Sequence, residues 1–420
     1  MRAYFEKLLD SSQQQKQLPL IFPLLIALFS GAVFSFSLAP YYWWWLAILS
    51  PALLYATLHK RSAKQAFAIG WSYGFGLWFV GAFWLYTSIH VYGDTNAFLS
   101  VCMIAVMALV MGLFTAFQTW VYRRFFPETP LTFAPLWIVF EWAKTWVFTG
   151  FPWLFVGYAF TERLLDGYAP LFGIYAISFV VIVLACALVE VLRKRIFWVI
   201  PSALLVLGAW GASYIQFVKP KAAKPLSVSL IQGNIPQDLK WLTEYQVRTL
   251  EIYAGLTQSE WGRDLIVWPE SSIPLFQTDI EPFLDAMDAQ AKKNHTAWVT
   301  GIPYWDVAKS HQVGSPLYYN SIMASGSDSS GLYKKQRLVP FGEYIPLSGL
   351  LSWVLPAMQN DISMSGFTRG ESDQKPLLIK GHALAAAICY EVAYPNLTRR
   401  NAEDSDFLVT VSNDAWFTGT

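Results

Sequence analysis

The chain has 420 residues, of which 55% are hydrophobic and only 14% charged, and it contains 20 Trp, 21 Tyr and 30 Phe. Since soluble domains average about 25% charged residues, this composition indicates a membrane protein. A net charge of +1 without a basic block argues against nucleic-acid binding. The three cysteines have no paired spacing and the five histidines are scattered, so the sequence predicts neither a disulfide framework nor a metal or cofactor site.

The two halves of the chain differ in their charge content. Residues 1–217 hold 13 Lys and Arg with 8 Asp and Glu, whereas residues 218–420 hold 17 and 21. The first half is therefore membrane-like and slightly basic, and the second half resembles ordinary soluble protein. We predict a transmembrane domain at 1–217, a Lys/Pro/Ala linker at 218–225 and a soluble domain at 226–420.

Seven apolar stretches in the first half approach the length of about 20 residues that a membrane-spanning helix needs. They run at about 18–37, 41–58, 65–88, 97–120, 131–148, 171–192 and 196–217. A signal peptide is the alternative for the first stretch, but its length and the stretches that follow it favour a retained helix.

The connections between these spans predict an orientation. Lys and Arg follow the second, fourth and sixth spans, and they are nearly absent from the alternate connections. By the positive-inside rule the N-terminus is cytoplasmic, and the seventh span delivers the second half to the outer side, which is the periplasm for a bacterial inner membrane. Within the fifth span, Glu141 and Lys144 stand three residues apart, and either a functional or a structural pair fits this spacing.

Strand-like and helix-like segments alternate in the second half. Strands are predicted at 226–232, 265–268, 298–302, 321–324, 384–388 and 407–411, and helices at 242–260 and 280–294. This alternation is typical of a layered α/β domain, in which the ends of strands are the natural place for a functional site.

Three side chains of different chemistry stand at predicted strand ends. Glu270 follows the strand that Pro269 terminates, Lys335 lies in a polar segment, and Cys389 follows the small apolar run 383–388. Together they would form a nucleophile, its base and an ammonium that lowers the thiol pKa and stabilises an oxyanion. Taken singly, each has a structural alternative: a turn carboxylate, a solvated lysine and a buried cysteine.

The motifs around these residues occur in a fixed order behind the seven spans. They are Trp268-Pro-Glu270, Lys335 with Leu338-Val-Pro-Phe-Gly-Glu343, Ile388-Cys-Tyr-Glu391, Gln232-Gly-Asn-Ile-Pro-Gln237, Lys240-Trp241 and Ser412-Asn-Asp-Ala-Trp-Phe417. This set resembles the carbon–nitrogen hydrolase (nitrilase) superfamily and, with the preceding spans, its membrane-bound apolipoprotein N-acyltransferase family. The resemblance covers nearly the whole chain.

The resemblance implies an αββα sandwich that carries a catalytic triad. Glu270 would be the base, Lys335 would stabilise the oxyanion, and Cys389 would be the nucleophile. Further residues carried over are the supporting carboxylates Glu343 and Glu391 and the substrate-pocket residues Trp241 and Tyr390.

The same resemblance implies the substrates and the partners. Cys389 would take an acyl chain from a phospholipid, expected to be phosphatidylethanolamine, and pass it to the α-amino group of the diacylglyceryl-cysteine of a lipoprotein. No metal, cofactor or nucleic acid would take part, and we expect a monomer in the bacterial inner membrane. The apolar segment 347–358 is expected either to dip into lipid over the site or to form a core helix.

The resemblance also implies further strands and a final spanning helix after Thr420. We therefore expect an incomplete catalytic domain, and the activity of this chain stays open. Three alternatives remain: a membrane-tethered amide or nitrile hydrolase with the same triad, an inactive homologue that only binds or senses, and a transporter. A transporter would spread charges over several spans, whereas here they are concentrated in one.

Overall fold

The computed structural model describes residues 18–219, 225–340, 342–344 and 366–417. Two compact units are distinguished within these residues. The first comprises the residues up to Tyr86 together with Asn96–Val218, and the second comprises Thr87–Thr95 together with the residues from Lys219 onward. Segment 347–358 lies outside the described residues, so its predicted position stays a prediction.

The first unit is helical. Its α-helices are α1 Ile21–Phe34, α2 Leu46–Thr57, α3 Ala63–Gly81, α4 Ala97–Phe125, α5 Pro130–Ala143, α6 Ala169–Phe172, α7 Ile174–Leu192 and α8 Val199–Ala212. Each of the seven predicted spans overlaps one of the longer helices. Among the described helices, α4 and α7 are long and apolar enough to cross a membrane, and α1, α2 and α8 belong to shorter apolar helical segments. The number of spans therefore stays a prediction.

Helix α5 ends before the apolar stretch 131–148 does, and a backbone break follows it. The fifth stretch was expected to be helical to residue 148, but α5 ends at Ala143. Phe148 has a φ of +53°, in the left-handed region that a continuing right-handed helix excludes. Apolar composition alone does not reveal such a break.

Helix α4 exposes apolar side chains and buries polar ones, which is the reverse of the pattern in helices of water-soluble proteins. Phe98 is 79% exposed and Val106 is 60% exposed. The polar residues that the helix buries are Ser100, Thr115, Gln118 and Thr119. Its contact with α3 is made by glycines, since a Cβ on Gly74 would lie 2.6 Å from the Cα of Gly112. Close backbone approach at small residues is how helices pack in membranes.

The second unit contains one eight-stranded sheet within the described residues. Its strands, in spatial order as in sequence order, are β1 Val228–Leu230, β2 Leu265–Val267, β3 Ala297–Trp305, β4 Tyr318–Gly326, β5 Ser329–Lys334, β6 Leu377–Ile379, β7 His382–Ile388 and β8 Phe407–Val411. Strands β1 to β3 are parallel to one another, as are β7 and β8, and the pairs from β3 to β7 are antiparallel.

Side-chain alternation places two apolar layers on the sheet. Leu265 and Val267 of β2 join a cluster that contains residues of every strand from β2 to β8. Ile266 and Trp268 point the other way, into a cluster with residues of two helices. Because one cluster gathers residues from seven successive strands, the sheet curls around it.

The second unit also contains α-helices, and two of them cover the second apolar layer. Within the described residues the α-helices are α9 Gln237–Lys240, α10 Thr243–Thr257, α11 Glu281–Lys293, α12 Val307–Val313 and α13 Pro395–Ala402. Leu250 and Tyr253 of α10 and Met287 and Ala291 of α11 contribute to the layer around Trp268.

The short segment Thr87–Thr95 also folds with the second unit, although it lies between α3 and α4 in sequence. The hydroxyl of Ser88 donates to the Trp416 carbonyl oxygen at 3.1 Å, and the hydroxyl of Tyr92 donates to that of Ala415 at 3.0 Å. The rings of Tyr92 and Trp416 lie 5.6 Å apart, edge to face.

Candidate active site

The three predicted triad residues each follow a strand. Strand β2 ends three residues before Glu270, while Lys335 and Cys389 come directly after β5 and β7. These strands are not neighbours in the sheet, and its curl brings their ends together.

Lys335 is the centre of the polar cluster at these strand ends. Its side chain is 1% exposed, and Nζ donates to Oε1 of Glu270 at 3.2 Å and to Oε1 of Glu343 at 2.9 Å. Burial by itself would lower the pKa of Lys335, but the two carboxylates outweigh burial and hold that pKa above its ordinary value. Lys335 therefore stays an ammonium at any working pH.

Asn320 connects the same two carboxylates from strand β4. Its Nδ2 donates to Oε1 of Glu270 at 2.8 Å and to Oε1 of Glu343 at 2.7 Å. The second oxygen of each carboxylate accepts a backbone N–H, from Asn413 at 3.0 Å for Glu270 and from Val339 at 2.8 Å for Glu343. Both carboxylates are thus held in fixed orientations.

Cys389 has a φ of +54°, a left-handed conformation that costs energy for any residue other than glycine. Burial and the nearby Glu270 carboxylate raise the pKa of its thiol to about 11, against the lowering effects of Lys335 and of a hydrogen bond with Ser412. Lys335 lowers the thiol pKa, as predicted, but burial and the Glu270 carboxylate together outweigh this effect. Cys389 at rest is therefore a neutral thiol, which would need a base to act as a nucleophile.

Glu391 is fully buried and accepts four hydrogen bonds. Oε1 accepts the backbone N–H of Gln336 at 2.6 Å and of Arg337 at 2.9 Å. Oε2 accepts the backbone N–H of Ile388 at 2.9 Å and the Tyr333 hydroxyl at 3.0 Å. This carboxylate therefore ties the turn that carries Cys389 to the chain on both sides of Lys335.

Comparison with known proteins decides which family carries this arrangement. Residues 30–187 match the apolipoprotein N-acyltransferase N-terminal domain, and residues 227–420 match the carbon–nitrogen hydrolase domain. An apolipoprotein N-acyltransferase of Coxiella burnetii is 37% identical over 94% of this chain and 82% of its own length. One of Azotobacter vinelandii is 39% identical over 94% and 77%. The chain belongs to the apolipoprotein N-acyltransferase family.

Membership of this family confirms the resemblance that the motifs predicted. The fold is accordingly a carbon–nitrogen hydrolase domain with a curled sheet behind a helical N-terminal region. A carbon–nitrogen hydrolase from Helicobacter pylori G27 is similar over 44% of this chain and 59% of its own, with a TM-score of 0.31 and 17% identity.

The resemblance assigned two residues to the substrate pocket, and one of them, Tyr390, adjoins Cys389 in sequence. Trp241 directly follows α9, and among the described residues its buried Nε1 has no hydrogen-bond partner. Tyr390 follows Cys389, and its hydroxyl accepts that of Tyr394 at 2.6 Å. Their assignment to substrate binding stays a prediction.

Sequence reasoning in this apolipoprotein N-acyltransferase family member missed three residues of the cluster. They are Asn320, Asn413 and Lys240, whose Nζ donates to the backbone carbonyl oxygen of Glu270 at 3.3 Å. Asn413 and Lys240 lie inside family motifs, so the motifs were the available signal for them. Asn320 lies in no motif. Its position opposite Pro303 in the β3–β4 register gives no hint of the two carboxylates that it contacts.

Proposed function

We propose that this protein transfers an acyl chain from a phospholipid to the α-amino group of the N-terminal diacylglyceryl-cysteine of a lipoprotein. The relatives that match nearly the whole chain carry the name apolipoprotein N-acyltransferase, which supports this activity. Phosphatidylethanolamine is the proposed donor, and the enzyme is proposed to act as a monomer.

One observation carries the mechanism: a buried ammonium, Lys335, is bridged to Glu270 and Glu343 beside a thiol whose pKa is raised to about 11. A neutral thiol at rest is protected from oxidation and from stray electrophiles. It becomes a nucleophile only when Glu270 accepts its proton as the substrate carbonyl approaches.

In the first half-reaction, Sγ of Cys389 bonds to the ester carbonyl carbon while Glu270 takes the thiol proton. Lys335 stabilises the oxyanion. The C–O bond then breaks, the departing alkoxide takes the proton from Glu270, and lysophospholipid leaves a thioester on Cys389. In the second half-reaction, the lipoprotein amine attacks the thioester, the C–S bond breaks, and the amine proton passes through Glu270 to restore the thiol.

We also propose that the first unit spans the membrane seven times, with its N-terminus in the cytoplasm and the catalytic domain in the periplasm. The reversed polarity of α4, with exposed Phe98 and Val106 and buried polar residues, supports contact with lipid. A periplasmic site would meet the acyl donors of the outer leaflet. The αββα sandwich and the domain boundaries at 217 and 226 belong to the same proposal.

The test is reconstitution of the protein with phosphatidylethanolamine vesicles and a synthetic diacylated lipopeptide. We expect N-acylated peptide and lysophospholipid in equal amounts, and a thioester on Cys389 when the peptide is left out. Cys389→Ala and Glu270→Gln should lose product, while Cys102→Ala, a change in α4, should keep it.

Two outcomes would contradict the proposal. Free fatty acid or ammonia release without N-acylation would point to hydrolysis with water as the acceptor. Product formation by the Cys389→Ala variant would show that the thiol is not the nucleophile.

A further inference from the structure

Lys240 is a buried lysine that the mechanism above does not use. It ends the short helix α9, its residue is 3% exposed, and Nζ donates to the backbone carbonyl oxygen of Glu270 at 3.3 Å. Within the part of the chain that the structure describes, this is the one hydrogen bond of its side chain. A buried ammonium with so few partners is costly, unless nearby opposite charge compensates.

Helix α9 reaches Glu270 by a second route as well. Oε1 of Gln237 accepts Nδ2 of Asn413 at 2.9 Å, and the backbone N–H of Asn413 donates to Oε2 of Glu270 at 3.0 Å. Gln237 and Lys240 are three residues apart and so share one face of the turn. This face of α9 therefore contacts the backbone carbonyl of Glu270 directly. It contacts the Glu270 carboxylate through Asn413.

The charges around Glu270 explain why an ammonium is favourable at the position of Lys240. The titratable groups around Glu270 are Lys335 after β5, Glu343, Cys389 after β7 and Lys240 of α9, with Glu391 behind Lys335. Without Lys240, the carboxylates of Glu270 and Glu343 would share a single ammonium in a buried cluster. With Lys240 the two carboxylates face two ammonium groups.

We infer that Lys240 is a positioning residue for acyl transfer, whose ammonium holds Glu270 in place as the base for the Cys389 thiol. This inference rests on the proposed function. It also gives the reaction a dependence on the charge of residue 240, which a purely structural lysine would not have.

The charge of Lys240 is lost within the accessible pH range. Burial lowers the pKa of Lys240 to about 8, although Glu270 acts in the opposite direction. The Cys389 thiol titrates at about 11, and the pKa of Lys335 is raised above its ordinary value, so neither changes charge near pH 8. A decline in the acylation rate above about pH 8 would therefore indicate that Lys240 has lost its charge.

The experiment measures the first half-reaction alone, as lysophospholipid released in a single turnover from fluorescent phosphatidylethanolamine without lipopeptide, between pH 6 and 10. Leaving out the acceptor removes the titration of its own amine. The variants are Lys240→Met, Lys240→Arg and, as a control, Lys292→Met on the exposed face of α11.

We expect Lys240→Met to be about tenfold slower than the unaltered protein at pH 6.5 and closer to it above pH 9, where the native lysine is already neutral. Lys240→Arg should keep most of the rate and lose the decline above pH 8, because guanidinium stays charged. Lys292→Met should follow the unaltered protein throughout. A rate ratio for Lys240→Met that does not change with pH, or a Lys240→Arg profile that still falls at pH 8, would overturn the inference.

Alkylation of Cys389 by iodoacetamide separates this inference from the proposed function, since it needs no substrate. Loss of the Lys240 ammonium disfavours the thiolate, so Lys240→Met should be alkylated more slowly below pH 8 and at the native rate above pH 9. If the unaltered protein shows no acyl transfer while this pattern holds, the proposed function fails and the role of Lys240 in the cluster stands. Equal alkylation rates at every pH would overturn that role.

Discussion

Gly301 of β3 lies directly against the backbone of Glu270. A Cβ at position 301 would be 2.7 Å from the Glu270 Cα and 2.4 Å from the carbonyl oxygen of Pro269, distances that no packed atoms adopt. The absence of a side chain at 301 therefore fixes how closely the proposed base approaches the sheet.

Gly301→Ala should displace Glu270 from Lys335 and lower the acylation rate by more than about a hundredfold, as misplacement of a catalytic group by about 1 Å does. The control is Gly255→Ala on the exposed face of α10, where a Cβ meets open space and alanine favours the helix. Single-turnover acylation and thermal unfolding in detergent measure both variants. Full activity of the Gly301→Ala protein would contradict the packing argument.

Replacing Asn320 tests the link between the two carboxylates. Asn320→Asp removes the donor that both carboxylates share and adds a third carboxyl group to the cluster, whereas Asn320→Ala removes only the donor. Acylation should therefore fall further in the Asp variant than in the Ala variant, and the Asp variant should also unfold at a lower temperature. The reverse order of the two variants in either measurement would count against the shared-donor arrangement.

Glu391 is expected to be needed for stability more than for chemistry. Glu391→Ala leaves four hydrogen-bond donors without their acceptor in a buried place, which should cost more than about 3 kcal/mol of unfolding free energy. Glu391→Gln keeps one carbonyl oxygen and should lose less. Thermal unfolding of the two variants decides, and equal midpoints for Glu391→Ala and the unaltered protein would show that the four bonds contribute little.

The reactivity of Cys389 should rise with pH in a way that distinguishes its neighbours. Its pKa of about 11 predicts that iodoacetamide alkylation keeps accelerating between pH 8 and pH 10. Since Glu270 raises the thiol pKa and Lys335 lowers it, Glu270→Gln should be alkylated faster at pH 8 and Lys335→Met more slowly.

For acyl transfer the Glu270→Gln variant should show the opposite change, because it has lost its base. Peptide mass spectrometry separates modification at Cys389 from that at Cys102 and Cys186. An alkylation rate that levels off near pH 8, or a slower reaction in Glu270→Gln, would contradict a thiol kept neutral by burial and carboxylate charge.

The sequence predicted those strands and helices of the second unit whose apolar pattern matches the secondary structure that they form. Strand β8 has the predicted bounds, and the helix predicted at 280–294 is observed at Glu281–Lys293. No bounds were predicted for strands β5 and β6, although Lys335 was expected to stand at a strand end. The first half of β5 is Ser329-Ser-Gly, which has no apolar alternation, and β6 has only three residues. They form strands because they pair with neighbours, and single-sequence patterns do not contain that information.

The candidate site likewise contains residues that the sequence predicted and properties that it could not predict. Glu270, Lys335, Glu343, Cys389 and Glu391 could be named because their motifs resemble a known family. The structure joins Glu270, Lys335 and Glu343 in one buried network, while Glu391 is buried separately and Cys389 is half-buried. The raised pKa of Cys389 could not be predicted, because it depends on burial and on a carboxylate more than a hundred residues away. Asn320 has the same difficulty, since a lone asparagine in a strand gives no sign of what it contacts.

Because Thr87–Thr95 packs against Ala415 and Trp416, the polypeptide that folds as the second unit is interrupted in sequence by most of the first. A fragment cut at the linker would leave the Trp416 ring without Tyr92. Any water-soluble version of the catalytic domain for crystallography or inhibitor screening should therefore carry residues 87–95 grafted onto it.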